Sequence, residues 1–168
     1  GPAFARVGGK QIDIREAIGP AYSGLEEAKA DVVGMFGLKW LVDHGAMPKD
    51  RLEEYYASYV AGIFRTLRFG TGEAHGRAEM MEFNYLMEHR ALAFHGGRYV
   101  IDYGRIPAVL EQLAKELLSI EATGDRRRAE DWFAKYNKMP AELEQALVKA
   151  KSIAVDLDPI FAFADEVQ

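Results

Sequence analysis

Cysteine is absent from all 168 residues, which excludes disulfides, thiolate metal ligands and a cysteine nucleophile. That composition fits a reducing cytosol or a periplasm equally, so the compartment stays open. Other signatures are missing too. There is no Gly-x-Ser-x-Gly elbow and no phosphate-binding loop, and the glycine pairs lack the helix signals of a dinucleotide fingerprint. No Glu-x-x-His pair offers the carboxylate di-metal site of a four-helix bundle. No apolar run approaches the ~20 residues needed to span a bilayer. Positive charge is in short supply, with 21 Lys and Arg against 26 Asp and Glu, and a net charge of −5 argues against a nucleic-acid partner. The one basic run, Arg126-Arg127-Arg128, is bracketed by Asp125, Glu130 and Asp131 and reads as a solvated helix start. Among the four histidines, His44, His75 and His95 precede Gly and His89 precedes Arg, so no His-Glu step occurs.

Within those limits, the length and the 49% hydrophobic content suit one domain, residues 1–168, with a sizeable core. Residues 1–22 show little helical periodicity and read as a loop wrapping a helical bundle at 23–168. Within that loop, Val7-Gly8-Gly9-Lys10 is a turn and Gln11 to Arg15 alternates as a short strand. The start at Gly1-Pro2 without Met reads as native processing, truncation or a tag remnant. Ile18-Gly19-Pro20 leads into a long helix, Ser23 to Val42, closed by Asp43-His44-Gly45. Ser23 with Glu26 forms a capping-box pattern. Gly34 and Gly37 inside it cost about 1 kcal/mol each relative to alanine, which suggests another backbone packed close. Glu27 and Asp31 share a face and repel unless a cation or histidine sits between or above them.

Pro48 opens a second helix whose apolar positions, from Leu52 through Tyr55, Tyr56, Tyr59 and Val60 to Leu67, follow helical spacing and read as core. Gly70-Thr71-Gly72 ends it. Helical pattern resumes from Glu73 to about Ala93. A strand follows at Arg98 to Tyr103, pairing either with the segment near Ile12 or with Leu92–Phe94. Further helices run from Pro107 to Thr123-Gly124, from Arg127 to Asn137, and onward from Pro140. The tail from Ile153 to Phe161 reads as an extended segment folded back on the bundle. The class is mainly α, a helical bundle with a few short β-strands. His44 suits a helix C-terminus, His89 an exposed face, and His95 a turn.

The stretch Glu26-Glu27-Ala28-Lys29-Ala30-Asp31 resembles the Glu-Glu-Cys-Arg-Ala-Glu/Asp motif of the dipeptidyl peptidase III family of zinc metallopeptidases, departing at Ala28 and Lys29. The resemblance implies that Glu27 is a zinc ligand. It implies that Asp31, with Glu26 beside it, stands outside the ligand set, Asp31 orienting a ligand histidine. In that family the two histidine ligands and the general base lie on an upstream His-Glu-x-x-(x)-His helix, which this sequence lacks. The chain then corresponds to the C-terminal part of a two-lobed enzyme that removes dipeptides from peptide N-termini, its partners being a peptide substrate and the missing N-terminal part, with no nucleic acid or membrane. His75-Gly76-Arg77-Ala78 resembles the family's His-x-x-Ala sequence, which implies that His75 steadies the transition state; Glu79 stands where the family usually has Arg. Otherwise His75 is an exposed histidine at a helix start, and the whole chain a non-catalytic helical scaffold or interaction module.

The resemblance implies an inactive chain with zinc absent or weakly bound, because a lone carboxylate does not outcompete water for the ion. Calorimetric titration with zinc is expected to show no tight one-to-one binding; a tight isotherm overturns that expectation.

Overall fold

A computed structural model describes residues 3–154. It begins with a hairpin, β1 (Phe4–Val7) and β2 (Lys10–Asp13), antiparallel with Ala5 opposite Ile12. Gly8 and Gly9 both have positive φ, the backbone a two-residue hairpin turn requires. β1 was not evident in the sequence, and the strand expected to reach Arg15 stops at Asp13. The reason is local: the Asp13 carboxylate accepts the Arg15 backbone N–H at 2.8 Å and caps a short helix, α1 (Ile14–Ile18). Residues 4–18 thus form a hairpin and a helix rather than a loop with one strand.

A 3-10 turn, Gly19–Ala21, with Pro20 in its first turn, runs directly into α2 (Tyr22–Asp43). Ala21 already has helical φ and ψ, so Ser23 lies inside the helix and the expected capping box does not form. The chain continues through a 3-10 turn, Lys49–Arg51, to α3 (Leu52–Leu67), then α4 (Ala74–Glu88). α4 ends earlier than the sequence pattern suggested. Arg90 adopts a left-handed conformation, and Ala91 N–H reaches Leu86 O while Arg90 N–H reaches Met87 O, closing the helix and freeing the next residues for a strand. β3 (Leu92–His95) pairs antiparallel with β4 (Arg98–Ile101), the second of the two pairings the sequence left open. The remaining helices are α5 (Ile106–Thr123), α6 (Arg126–Tyr136) and α7 (Ala141–Ala150). Ile153 accepts a hydrogen bond from Arg68 at 2.6 Å. The rest of the expected tail, from residue 155, lies outside the described residues, as does Gly1-Pro2.

α2 is the central element, packed on α5 and α4, while α3 packs mainly on α4. The core between them is aliphatic and aromatic: Leu25, Ala28 and Val32 from α2, Ile63 and Leu67 from α3, Met81, Phe83 and Leu86 from α4, and Leu113, Leu117 and Ile120 from α5. Beyond its first turns α2 is apolar on its outer side as well. Val33, Phe36, Trp40 and Leu41 are exposed, with Trp40 at 52%. Among the described residues, no helix is long and apolar enough to cross a membrane.

The expectation that Gly34 and Gly37 admit a close backbone is not met among the described residues: a Cβ on either would meet nothing within 4 Å, because both lie toward the open side of α2. The close approach is elsewhere. A Cβ on Gly76 would come within 2.2 Å of the Gly70 carbonyl oxygen, so the loop before α4 can fold back on its first turn only because residue 76 lacks a side chain.

Two alanine substitutions should therefore act in opposite directions. Gly76→Ala is expected to lose about 1–3 kcal/mol through backbone displacement, whereas Gly37→Ala is expected to gain about 0.5–1 kcal/mol from helix propensity. Urea denaturation of the two variants measures both.

Candidate functional site

Three helices meet around a set of acidic groups. α2 contributes Glu27 and Asp31 one turn apart, α4 contributes His75 from its first turn with Glu79 and Glu82 beyond, and α3 contributes Tyr59 and Thr66. His75 Nε2 lies 2.9 Å from Glu27 Oε2, with both side chains still reached by water. The two residues singled out in the sequence are thus brought together across α2 and α4. The imidazole also offsets the repulsion between Glu27 and Asp31, since it pulls the Asp31 carboxyl down while burial, the larger influence, and Glu27 push it up.

Glu26 is turned elsewhere. Its carboxylate accepts from Lys29 Nζ at 2.5 Å, and the same ammonium donates to Glu121 on α5 at 3.1 Å. Lys29 is 7% exposed and Glu121 1%. Burial raises the Glu121 pKa, opposed by Lys29; for Glu26 burial also pushes upward, but the Lys29 contact outweighs it and the net direction is down. The two adjacent glutamates therefore have different environments, one joined to a buried ion pair and the other to an exposed histidine.

Behind Glu27 and Asp31 the site becomes drier. Glu82 is fully buried. Its Oε2 accepts from Tyr59 O–H at 2.6 Å, and its Oε1 has no hydrogen-bond partner. Burial, reinforced by Asp31, pushes the Glu82 carboxyl well above its ordinary value of 4.5. Burial likewise pushes Glu79 up to about 7, with Asp31 adding to the rise and Thr66, His75 and Arg65 opposing it. Tyr59 is raised by burial and by Glu82. Sequence reasoning missed this cluster, taking Tyr59 as core and Glu79 only as a departure from a motif. A signal was present: Glu82 falls among Ala78, Met81 and Tyr85, on the helix positions that face inward.

Asp31 and Tyr59 open onto a groove of about 480 Å³ between α2 and α3, lined also by Ala30, Gly34, Leu38 and Ser58. Among the described residues no group of three or more His, Asp or Glu side chains could hold a metal ion. Glu27 offers one carboxylate and lies one turn before Asp31, which lines the groove, so the donors fit one part of a ligand set. The other histidines stand apart. His44 stacks on Trp40 and its Nδ1 lies 2.7 Å from the Trp40 carbonyl oxygen, His89 stacks on Tyr85 and is half-buried, and His95 ends β3 at the second hairpin.

The buried carboxyl makes stability fall as pH rises. Glu82 is neutral in both states at low pH; above 4.5 the unfolded chain ionises it while the fold resists, so stability is lost up to the raised folded value. Glu79 acts in the same sense between 4.5 and about 7. Glu82→Gln keeps an acceptor for Tyr59 and removes the titration. The loss of stability between about pH 5 and pH 8 is expected to be smaller in this variant than in the parent chain. Urea midpoints at the two pH values test this; an unchanged difference sinks it.

No family model matches the chain. It is 37% identical over 161 residues to Nudix hydrolase 3 of Arabidopsis thaliana, a match covering 94% of this chain and 21% of that protein. Among solved structures, it superposes on the dipeptidyl peptidase III of Caldithrix abyssi with a TM-score of 0.94 and 32% identity, covering 100% of this chain and 32% of that one. The dipeptidyl peptidase III of Corallococcus sp. strain EGB gives 0.92 and 33%, over 99% of this chain and 31% of that one. The chain spans about a fifth of the curated relative and about a third of each solved structure, and it has the mainly α fold of the corresponding part of a dipeptidyl peptidase III.

Proposed function

We propose that this chain forms the C-terminal part of a zinc-dependent exopeptidase that releases dipeptides from peptide N-termini. The observation that carries the proposal is the 2.9 Å approach of His75 to Glu27, one turn from Asp31, which lines a groove between α2 and α3. Likeness over the full chain to two dipeptidyl peptidase III structures supports it. The name of the curated relative weighs less, because the match covers 21% of that protein.

Zinc, when bound, would bring a water with a pKa near 7 and an electrophilic centre for the peptide carbonyl. Glu27 would supply one carboxylate ligand, and the two histidine ligands and the base would come from the missing N-terminal part, docked on the open side of α2. Among the described residues, nothing lies within 4 Å of where a Cβ on Gly34 or Gly37 would be, which leaves room there. Asp31, half-buried beside the groove, would accept a hydrogen bond from a ligand imidazole and fix its orientation. Once Glu27 is engaged elsewhere, His75 is released to donate from Nε2–H to the oxyanion that develops on the peptide carbonyl. Glu79, one turn after His75, keeps an acidic group near the imidazole where the family resemblance would place an arginine. The partners are a peptide and the remainder of the same protein, not nucleic acid or membrane, and the 168-residue chain alone is inactive.

The rival is a non-catalytic scaffold or interaction module, which the exposed Phe36 and Trp40 also suit. Substitutions in a full-length parent separate the two. Glu27→Ala is expected to lower zinc affinity by more than the roughly 10–100-fold typical of outer-sphere residues. His75→Ala should keep zinc and lose about 100–1,000-fold in kcat. A parent that retains stoichiometric zinc without Glu27 overturns the assignment.

A further inference from the structure

We propose that Lys29 is a positioning residue for the Glu27 carboxylate: by binding Glu26 and Glu121 behind α2, it fixes the rotation of that helix so that Glu27, and not its neighbour Glu26, faces His75. What the position is for rests on the peptidase reading; the rotational argument does not.

The need for such a device follows from helix geometry. Successive residues on a helix are about 100° apart, so Glu26 and Glu27 present the same group to two different sides. A one-residue rotation of α2 would exchange them. Lys29 projects about 200° from Glu27, on the back of the helix, where Leu25, Ala28 and Val32 are buried with it. Small aliphatic groups of that kind set which side of the helix is buried but form no directional bond to one partner. An ammonium does. Lys29 Nζ sits 2.5 Å from Glu26 Oε2 and 3.1 Å from Glu121 Oε2, and Glu121 is 1% exposed on a different helix. Rotating Lys29 away would leave the Glu121 carboxylate buried without its cation. It would also release Glu26 to compete for the histidine.

Buried ion pairs recover little net stability, since desolvation cancels much of the attraction, and apolar replacements of similar size are often neutral or stabilising. This pair is therefore better explained by the arrangement it imposes than by the stability it adds. The Glu121 Oε1 atom, buried without a hydrogen bond, shows that the contact is not fully satisfied even here.

The experiment uses the 168-residue chain. Nuclear Overhauser cross-peaks between the His75 ring protons and the γ-protons of Glu27 report the contact, and thermal denaturation reports stability separately. The double variant Lys29→Met, Glu121→Leu is expected to keep the thermal midpoint of the parent chain while the His75–Glu27 cross-peak falls severalfold. Lys29→Arg, which keeps the charge, should retain the peak. Persistence of the full peak in the folded double variant overturns the proposal, and so does its loss in a folded Lys29→Arg variant. If the double variant does not fold, Glu121→Gln is read instead: a weakened peak supports the proposal and an unchanged one overturns it. All arms are read without metal, so failure here leaves zinc ligation by Glu27 untouched. Failure of zinc ligation in the parent would equally leave the rotation argument standing.

Discussion

A helix buried on one side has its rotation set by whatever it buries, and in this fold that burden falls on α2. Its inward side carries Leu25, Ala28 and Val32 together with the only lysine among the buried polar residues described, and that lysine bridges to α5. The outward side is unfinished: Ala30, Gly34 and Phe36 face water along a helix of 22 residues. α1 and the 3-10 turn after it pack on α2, and the turn at His44 and Gly45 closes its far end. Everything chemically distinctive lies where the finished and unfinished sides meet.

At that boundary the fold tolerates a concentration of acid that its own stability does not call for. Asp31 raises the pKa values of Glu79 and Glu82, Glu79 adds to that of Glu82, and burial, the larger cause, raises all three. Only His75, Thr66, Tyr59 and Arg65 oppose the rise. Removing such groups from water costs free energy unless they are paired, and Glu82 retains one oxygen without a partner. Perturbed carboxyls of this kind cluster where function constrains a protein, although structural networks can produce them too. Here one structural link is present, the Tyr59 to Glu82 hydrogen bond between α3 and α4, while Asp31 and Glu79 lie on the side of His75.

Much of the architecture was legible because periodicity and end signals agreed. α3, α5 and α6 have clean apolar stripes, Gly124 takes the left-handed cap the sequence suggested, and Asp125 caps α6 through its side chain. Ser23 carried an equally good signal and was misleading, because Gly19-Pro20-Ala21 had already begun a helical turn and left no break to cap. The β1 strand was missed for want of length, and the end of α4 because a left-handed Arg90 has no sequence signature. In the site, the proximity of Glu27 and His75 was suggested by a motif resemblance and not by spacing, since the two residues lie on different helices. Glu82 went unnoticed, and Lys29 was noted only as a departure from a motif, because a charge inside an apolar stripe reads as noise until burial is known.

Glu79, at the position where the resembled motif has an arginine, follows a similar physical logic. An arginine one turn after His75 would add positive charge beside the imidazole and draw on Asp31 and Glu82 as counterions. Glu79 instead adds a third acid to the same cluster, and the response is protonation: burial and Asp31 push it up to about 7, so near neutrality it carries a fraction of its charge. The acidic cluster near His75 thus stays less negative than its sequence implies. A protonated carboxyl can also donate a hydrogen bond, a capacity a carboxylate lacks. A glutamate at position 79 thus gives His75 a neighbour that is neutral or negative near pH 7, never positive.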